Sequence, residues 1–74
     1  MSFNHKAYYE TGELKTEMNI VDNKAEGPVN NYWPNGNLRH TSTYENGQVV
    51  GVVTDYDEDG NVISEQTWGD TVED

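Results

Sequence analysis

The 74-residue chain has no cysteine, which excludes disulfides and thiolate metal sites, two staples that chains of this size often need. Stability must come from packing, from self-association or from a partner. No window approaches the roughly 18 apolar residues of a membrane helix, and no apolar stretch follows the opening Met-Ser-Phe-Asn-His-Lys. The expectation is a soluble, cytoplasmic chain of one domain. Bases are scarce as well: four stand against fourteen acids, for a formal net charge of −10. Residues 1–47 carry six acids and all four bases, net −2, whereas residues 48–74 carry eight acids and no base, net −8. Such a field repels nucleic acid and anionic membrane and speeds encounter with basic surfaces. A basic protein is the expected partner, and solubility is the plainer account of the charge. Eight aromatic residues at regular spacing argue against general disorder, with only Thr71 to Asp74 expected as a disordered acidic tail.

What the chain does contain is a repeat. At an offset of 24, Tyr8, Tyr32 and Tyr56 align, as do Gly12, Gly36 and Gly60, then Leu14, Leu38 and Val62, and finally Ile20, Tyr44 and Trp68. Gly27 likewise matches Gly51, and Val29 matches Val53. Such self-similarity marks a repeat architecture. Each unit holds two turns. Tyr8 to Gly12, Tyr32 to Gly36 and Tyr56 to Gly60 each end an aromatic strand on a glycine suited to the left-handed conformation. Asp22-Asn23-Lys24 and Glu45-Asn46-Gly47-Gln48 provide the second turn, Asn-Gly being the strongest short hairpin signal. β-formers such as Thr41, Thr43 and Tyr44, and the run Val49, Val50, Val52 and Val53, disfavour helix. The pattern predicts an all-β, single-layer antiparallel meander of about six strands within a domain over 1–70, in units of about 3–26, 27–50 and 51–70. One face should carry the tyrosines and aliphatics as the core of the repeat, and the other should stay wet.

The stretch Gly27-Pro28-Val29-Asn30-Asn31-Tyr32-Trp33-Pro34-Asn35-Gly36-Asn37-Leu38-Arg39, followed by Tyr44-Glu45-Asn46-Gly47, resembles the MORN-repeat variant of bacterial antitoxin-like proteins. The likeness extends from Ala7 to Gly69. It departs at the usual tryptophan, here Val29 and Val53, and in lacking the lysines common in that family. The resemblance implies a curled sheet of β-hairpins serving as an interaction surface, an antitoxin role in bacterial members, no catalytic residues, and a bacterial or phage-infected cell as the setting. Eukaryotic members are linked with membranes and phosphoinositides, a use to which this negative surface is poorly suited.

Local motifs add little chemistry. Asp55-Tyr56-Asp57-Glu58-Asp59-Gly60 reproduces the first half of a calcium loop, but its twelfth position is Gln66, with Glu65 one place early. An acidic turn is preferred over a metal site. His40 takes the place of Thr16 and Ser64, which alternation puts toward solvent, and two histidines without cysteine do not make a structural zinc site. No nucleophile, base and acid fall at equivalent turns, and a shallow sheet offers no deep cleft, so neither an enzyme nor a cofactor is expected. A stacking platform for nucleic acid would need a basic groove that Lys6, Lys15, Lys24 and Arg39 do not supply. Positions that break the repeat remain as candidate partner-binding residues: Tyr9 and Trp33, replaced by Asp57 in the third copy, with Asp55, Asp57, Glu58, Asp59, Glu65 and Asp70.

These observations lead to a non-enzymatic protein-binding module, antitoxin-like or inhibitor-like. It would neutralise a basic, nucleic-acid-handling partner, for example as a phage inhibitor of bacterial defence. The alternatives are an assembly protein that self-associates through open sheet edges and a calcium-binding repeat.

Overall fold

The computed structural model describes residues 3–68; Asp70 and the segment 71–74 lie outside them. Six strands follow one another, β1 (His5–Tyr8), β2 (Leu14–Val21), β3 (Lys24–Tyr32), β4 (Leu38–Glu45), β5 (Gln48–Tyr56) and β6 (Val62–Trp68). They form one antiparallel sheet in the order β1-β2-β3-β4-β5-β6. The extents of 45 × 31 × 19 Å are those of a single layer. The all-β meander of three hairpin repeats is therefore as the sequence predicts.

Turn chemistry sets the register. Tyr9, Trp33 and Asp57 accept at their carbonyls from the amides of Gly12, Gly36 and Gly60, and in return donate their own amides to Glu13, Asn37 and Asn61. The three glycines have φ of 105°, 95° and 93°, where a side chain would be strained. The alternate turns are two-residue loops. Asp22 and Asn23 (φ 53° and 68°) join Val21 to Lys24, and Asn46 and Gly47 (φ 56° and 84°) join Glu45 to Gln48. Positive φ at both central positions matches the right-handed twist of the flanking strands.

Every pairing is irregular at one point, and in β1–β2, β3–β4 and β5–β6 the irregularity is a one-residue bulge. Ala7 pairs with Thr16 and Tyr8 with Leu14, leaving Lys15 without an opposite number. Arg39 and Ile63 are bypassed in the same way opposite Asn31/Tyr32 and Asp55/Tyr56. An extra residue breaks strict alternation, so Lys15, Arg39 and Ile63 turn toward the same side as Thr16, His40 and Ser64.

The core is smaller than the repeat suggests. Among the described residues Val29 is the only buried apolar side chain, joined by Ser42 and Thr54. Tyr8 and Val62, expected in the core, are each 57% exposed, while Leu14, Tyr32, Leu38 and Tyr56 are half-buried. A sheet with no second layer has nothing to lay over this stripe. Nor is the opposite face merely wet. Val29 and Ser42 are paired neighbours on one face, and Thr54, opposite Thr41, is on the other. The Ser42 hydroxyl is buried with no hydrogen-bond partner among the described residues.

Candidate functional site

The units are sewn together by side chains that repeat with the chain. The Tyr9 hydroxyl donates to the Tyr32 carbonyl at 2.6 Å, and the Trp33 indole, 24 residues on, donates to the Tyr56 carbonyl at 3.1 Å. The bulged cations cover these rings: Lys15 Nζ lies 5.7 Å from the Tyr9 centroid and the Arg39 guanidinium 4.9 Å from that of Trp33. Next to the Lys15 and Arg39 bulges a cross-strand pair closes the seam. Thr16 donates to Asn31 Oδ1 at 2.6 Å, and His40 Nδ1 lies 2.6 Å from Asp55 Oδ1. On the other face Glu17 accepts from the Tyr32 hydroxyl at 2.6 Å and from the Asn30 amide at 3.2 Å. Burial, then the hydrogen bond to Glu17 and its charge, push the Tyr32 phenol up to about 12.

Where the second unit meets the third, this arrangement leaves two adjoining open hollows. One, of about 340 Å³, is lined by Asn31, Arg39, His40 and Asp55. The other, of about 300 Å³, lies between Trp33, Arg39, Asp55, Tyr56, Ile63 and Ser64. Together they make a shallow groove with a guanidinium, an imidazole and a carboxylate at its centre and Ile63, 64% exposed, at its rim. His40, expected to face solvent, has a side chain 29% exposed and engaged with Asp55. The signal for this pair is present in the sequence, because Thr16/Asn31 and His40/Asp55 share both their separation and the 24-residue offset.

The acidic turn lies beyond the groove. Asp57 accepts from the amides of Asp59 and Asn61 at 2.9 and 3.0 Å and from the Asn61 side chain at 3.3 Å. The Asn61 backbone bond foremost, with those to Asp59, the Asn61 side chain and Gly60, holds its carboxyl below the usual range. Asn35 and Asn37, on the neighbouring turn, donate to the Glu58 carbonyl at 2.9 and 2.7 Å.

The residues singled out by sequence thus divide. Tyr9, Trp33, Asp55 and Asp57 make contacts within the chain that hold units and turn together. Glu58, Asp59 and Glu65 present exposed carboxylates. Asp70 lies outside the described residues. Arg39 and His40 are not among these candidates, yet they line the groove. Among the described residues no three His, Cys, Asp or Glu side chains converge as metal ligands would. The calcium-like spacing of the acids serves the turn, since Asp57 caps it.

Because a carboxylate caps this turn, acid should loosen it. The folded carboxyl titrates below its unfolded counterpart, so its contribution is complete above the ordinary carboxylate range and is lost as the pH falls through the folded value. Amide exchange at Asp59 and Asn61 should accelerate on acidification relative to Gly36 in the uncharged second turn. Asp57→Ala should show the faster exchange already at neutral pH.

The sequence profile of the family described as MORN repeat variant matches residues 4–22, 25–46 and 49–70. No curated protein and no solved structure gives a match. Repeats of this kind are generally binding modules for proteins or membranes.

Proposed function

The chain belongs to the MORN repeat variant family, and from that premise we propose that it is a non-enzymatic protein-binding module, antitoxin-like or inhibitor-like, whose acidic third unit docks on a basic surface of another protein. The observation that supports this reading is the pre-organised acidic turn. Asp57 fixes it from within and Asn35 and Asn37 fix it from the side, while Glu58 and Asp59 remain exposed. A rigid display of charge binds with less ordering cost than a mobile one. A protein surface is preferred to a membrane because the field is negative throughout residues 48–74. A nucleic-acid-handling enzyme is a suitable target, its phosphate-binding cations being open to carboxylates held at fixed spacing.

The test compares immobilised wild type with Glu58→Gln/Asp59→Asn, a variant that leaves the Asp57 cap and Glu65 untouched. The wild type should retain a basic protein in low salt and release it steeply as salt rises, and the variant should associate several-fold more slowly. Equal retention by both proteins would reduce the charge to a solubilising role.

A further inference from the structure

Each unit of the sheet is completed by the one after it. The outer edge of β2 is covered by β3, with Thr16 opposite Asn31 and Glu17 opposite Asn30. The outer edge of β4 is covered by β5 at the repeat-related positions, His40 opposite Asp55 and Thr41 opposite Thr54. Strand β6 carries the third set, Ser64 and Glu65, and among the described residues it pairs on one side only, with β5. All seven of its residues are exposed. At the opposite end β1 pairs on one side only, with β2. By the 24-residue offset, Lys6, Ala7 and Tyr8 stand where Asn30, Asn31 and Tyr32 stand in β3. The outward edge of β1 is therefore the counterpart of the edge that β3 offers to β2.

The side chains make the match specific. Within the chain Glu17 receives the Tyr32 hydroxyl and the Asn30 amide. When the offset is applied to β6 and to the β1 of another copy, Glu65 takes the place of Glu17, Tyr8 that of Tyr32, and Lys6 that of Asn30. The weaker donor becomes an ammonium, so a carboxylate that accepts from a neutral amide within the chain would accept from a cation across the seam. Net charge disfavours the tail-to-tail alternative most. That contact would oppose two ends of net −8 over residues 48–74, whereas head-to-tail contact sets one such end against the part of net −2 and places Lys6 beside Glu65.

We infer that the protein associates head to tail with further copies of itself, β6 of one copy pairing antiparallel with β1 of the next so that Glu65 receives Lys6 and Tyr8. The contact joins unlike surfaces, so it adds copies one after another, as a chain or as a ring where the rotation between copies closes, and does not form a two-fold dimer. It is a short seam, since β1 has four residues, and it lacks one interunit donor. Asp57 replaces Tyr9 and Trp33, and its carboxylate is engaged in its own turn. The association is accordingly weak and dependent on concentration. It is independent of the Glu58 and Asp59 surface, so either proposal can fail alone.

Sedimentation velocity decides it, at about 0.15 M salt, where charges beyond about 8 Å are screened but a contacting pair is not. The wild-type weight-average sedimentation coefficient should rise between about 50 µM and about 1 mM, the span of weak specific contacts. Glu65→Lys alone and Lys6→Glu alone should each stay monomeric, because each opposes like charges at every seam. Mixed in equal amounts the two variants should associate again, since every alternating seam then joins a glutamate to a lysine. That recovery cannot come from misfolding. Wild type that stays monomeric at about 1 mM, single variants that associate like wild type, or a mixture that stays monomeric would each overturn the inference.

Discussion

Replacing Trp33 with alanine should lower stability by about 3 kcal/mol, a sum of three contributions that meet at one side chain. The half-buried indole removes something like 100 Å² of apolar surface from water, about 2.5 kcal/mol at 25 cal/mol/Å². Its bond to the Tyr56 carbonyl adds about 1 kcal/mol, and the exposed Arg39 cation over its ring about 0.5 kcal/mol. Partial collapse of the groove and residual contacts in the unfolded chain bring the total down. Against it stands a stability of roughly 4–11 kcal/mol for a chain of this length. In urea the midpoint should fall sharply with the slope little changed. Trp33→Phe separates the causes: it keeps most of the packing and loses the N–H donor, so it should cost about 1 kcal/mol. A neutral Trp33→Ala would mean that the second and third units are held by the backbone ladder, His40–Asp55 and the Asn35 and Asn37 bonds to Glu58, without help from the indole.

The same residue shows where sequence reasoning succeeds and where it stops. The repeat, the six strands and both kinds of turn were legible because they rest on local chemistry. Glycine is required at Gly12, Gly36 and Gly60 by positive φ, and Asn46-Gly47 closes a two-residue hairpin. The partners of Trp33 were not legible. Tyr9 and Trp33 break the repeat in the third unit, which suggested a surface for another molecule, whereas the structure turns them onto the carbonyls of the next unit. The offset that aligned the tyrosines also aligns Lys15 with Arg39, and both cations lie over those rings. What hid the arrangement is the bulge. The residue bypassed between β3 and β4 shifts the alternation, so a strict period of two sends His40 to solvent instead of into the groove beside Asp55. The overestimated core has a different origin. Periodicity reports which side chains share a stripe, not whether anything covers it, and the stripe of Tyr8 and Val62 stays open in a single layer.

A second large effect is expected in alkali, and its source is Tyr32. The folded phenol titrates at about 12 against an ordinary value of 10.0, first because it is partly buried, then because Glu17 accepts its hydrogen bond and repels the phenolate. A group whose folded value is raised contributes fully below its unfolded value and loses that contribution as the pH climbs through the folded one, so the window is pH 10 to 12. A difference of that size corresponds to at most about 2.7 kcal/mol, and solvent screening at a half-buried site reduces this to about 1–2 kcal/mol. Urea midpoints for wild type should therefore drop across that window by more than those of Tyr32→Phe. The phenylalanine variant should start about 1 kcal/mol lower at neutral pH, where Glu17 has lost one of its two donors. Glu17→Gln discriminates between causes. It removes the charge but keeps an acceptor oxygen for the hydroxyl, so the alkaline loss should shrink without vanishing, the remainder being due to burial and the retained hydrogen bond. A Glu17→Gln profile identical to wild type would remove the charge as a cause and leave burial and the hydrogen bond. A Tyr32→Phe profile identical to wild type would move the alkaline loss to another group altogether.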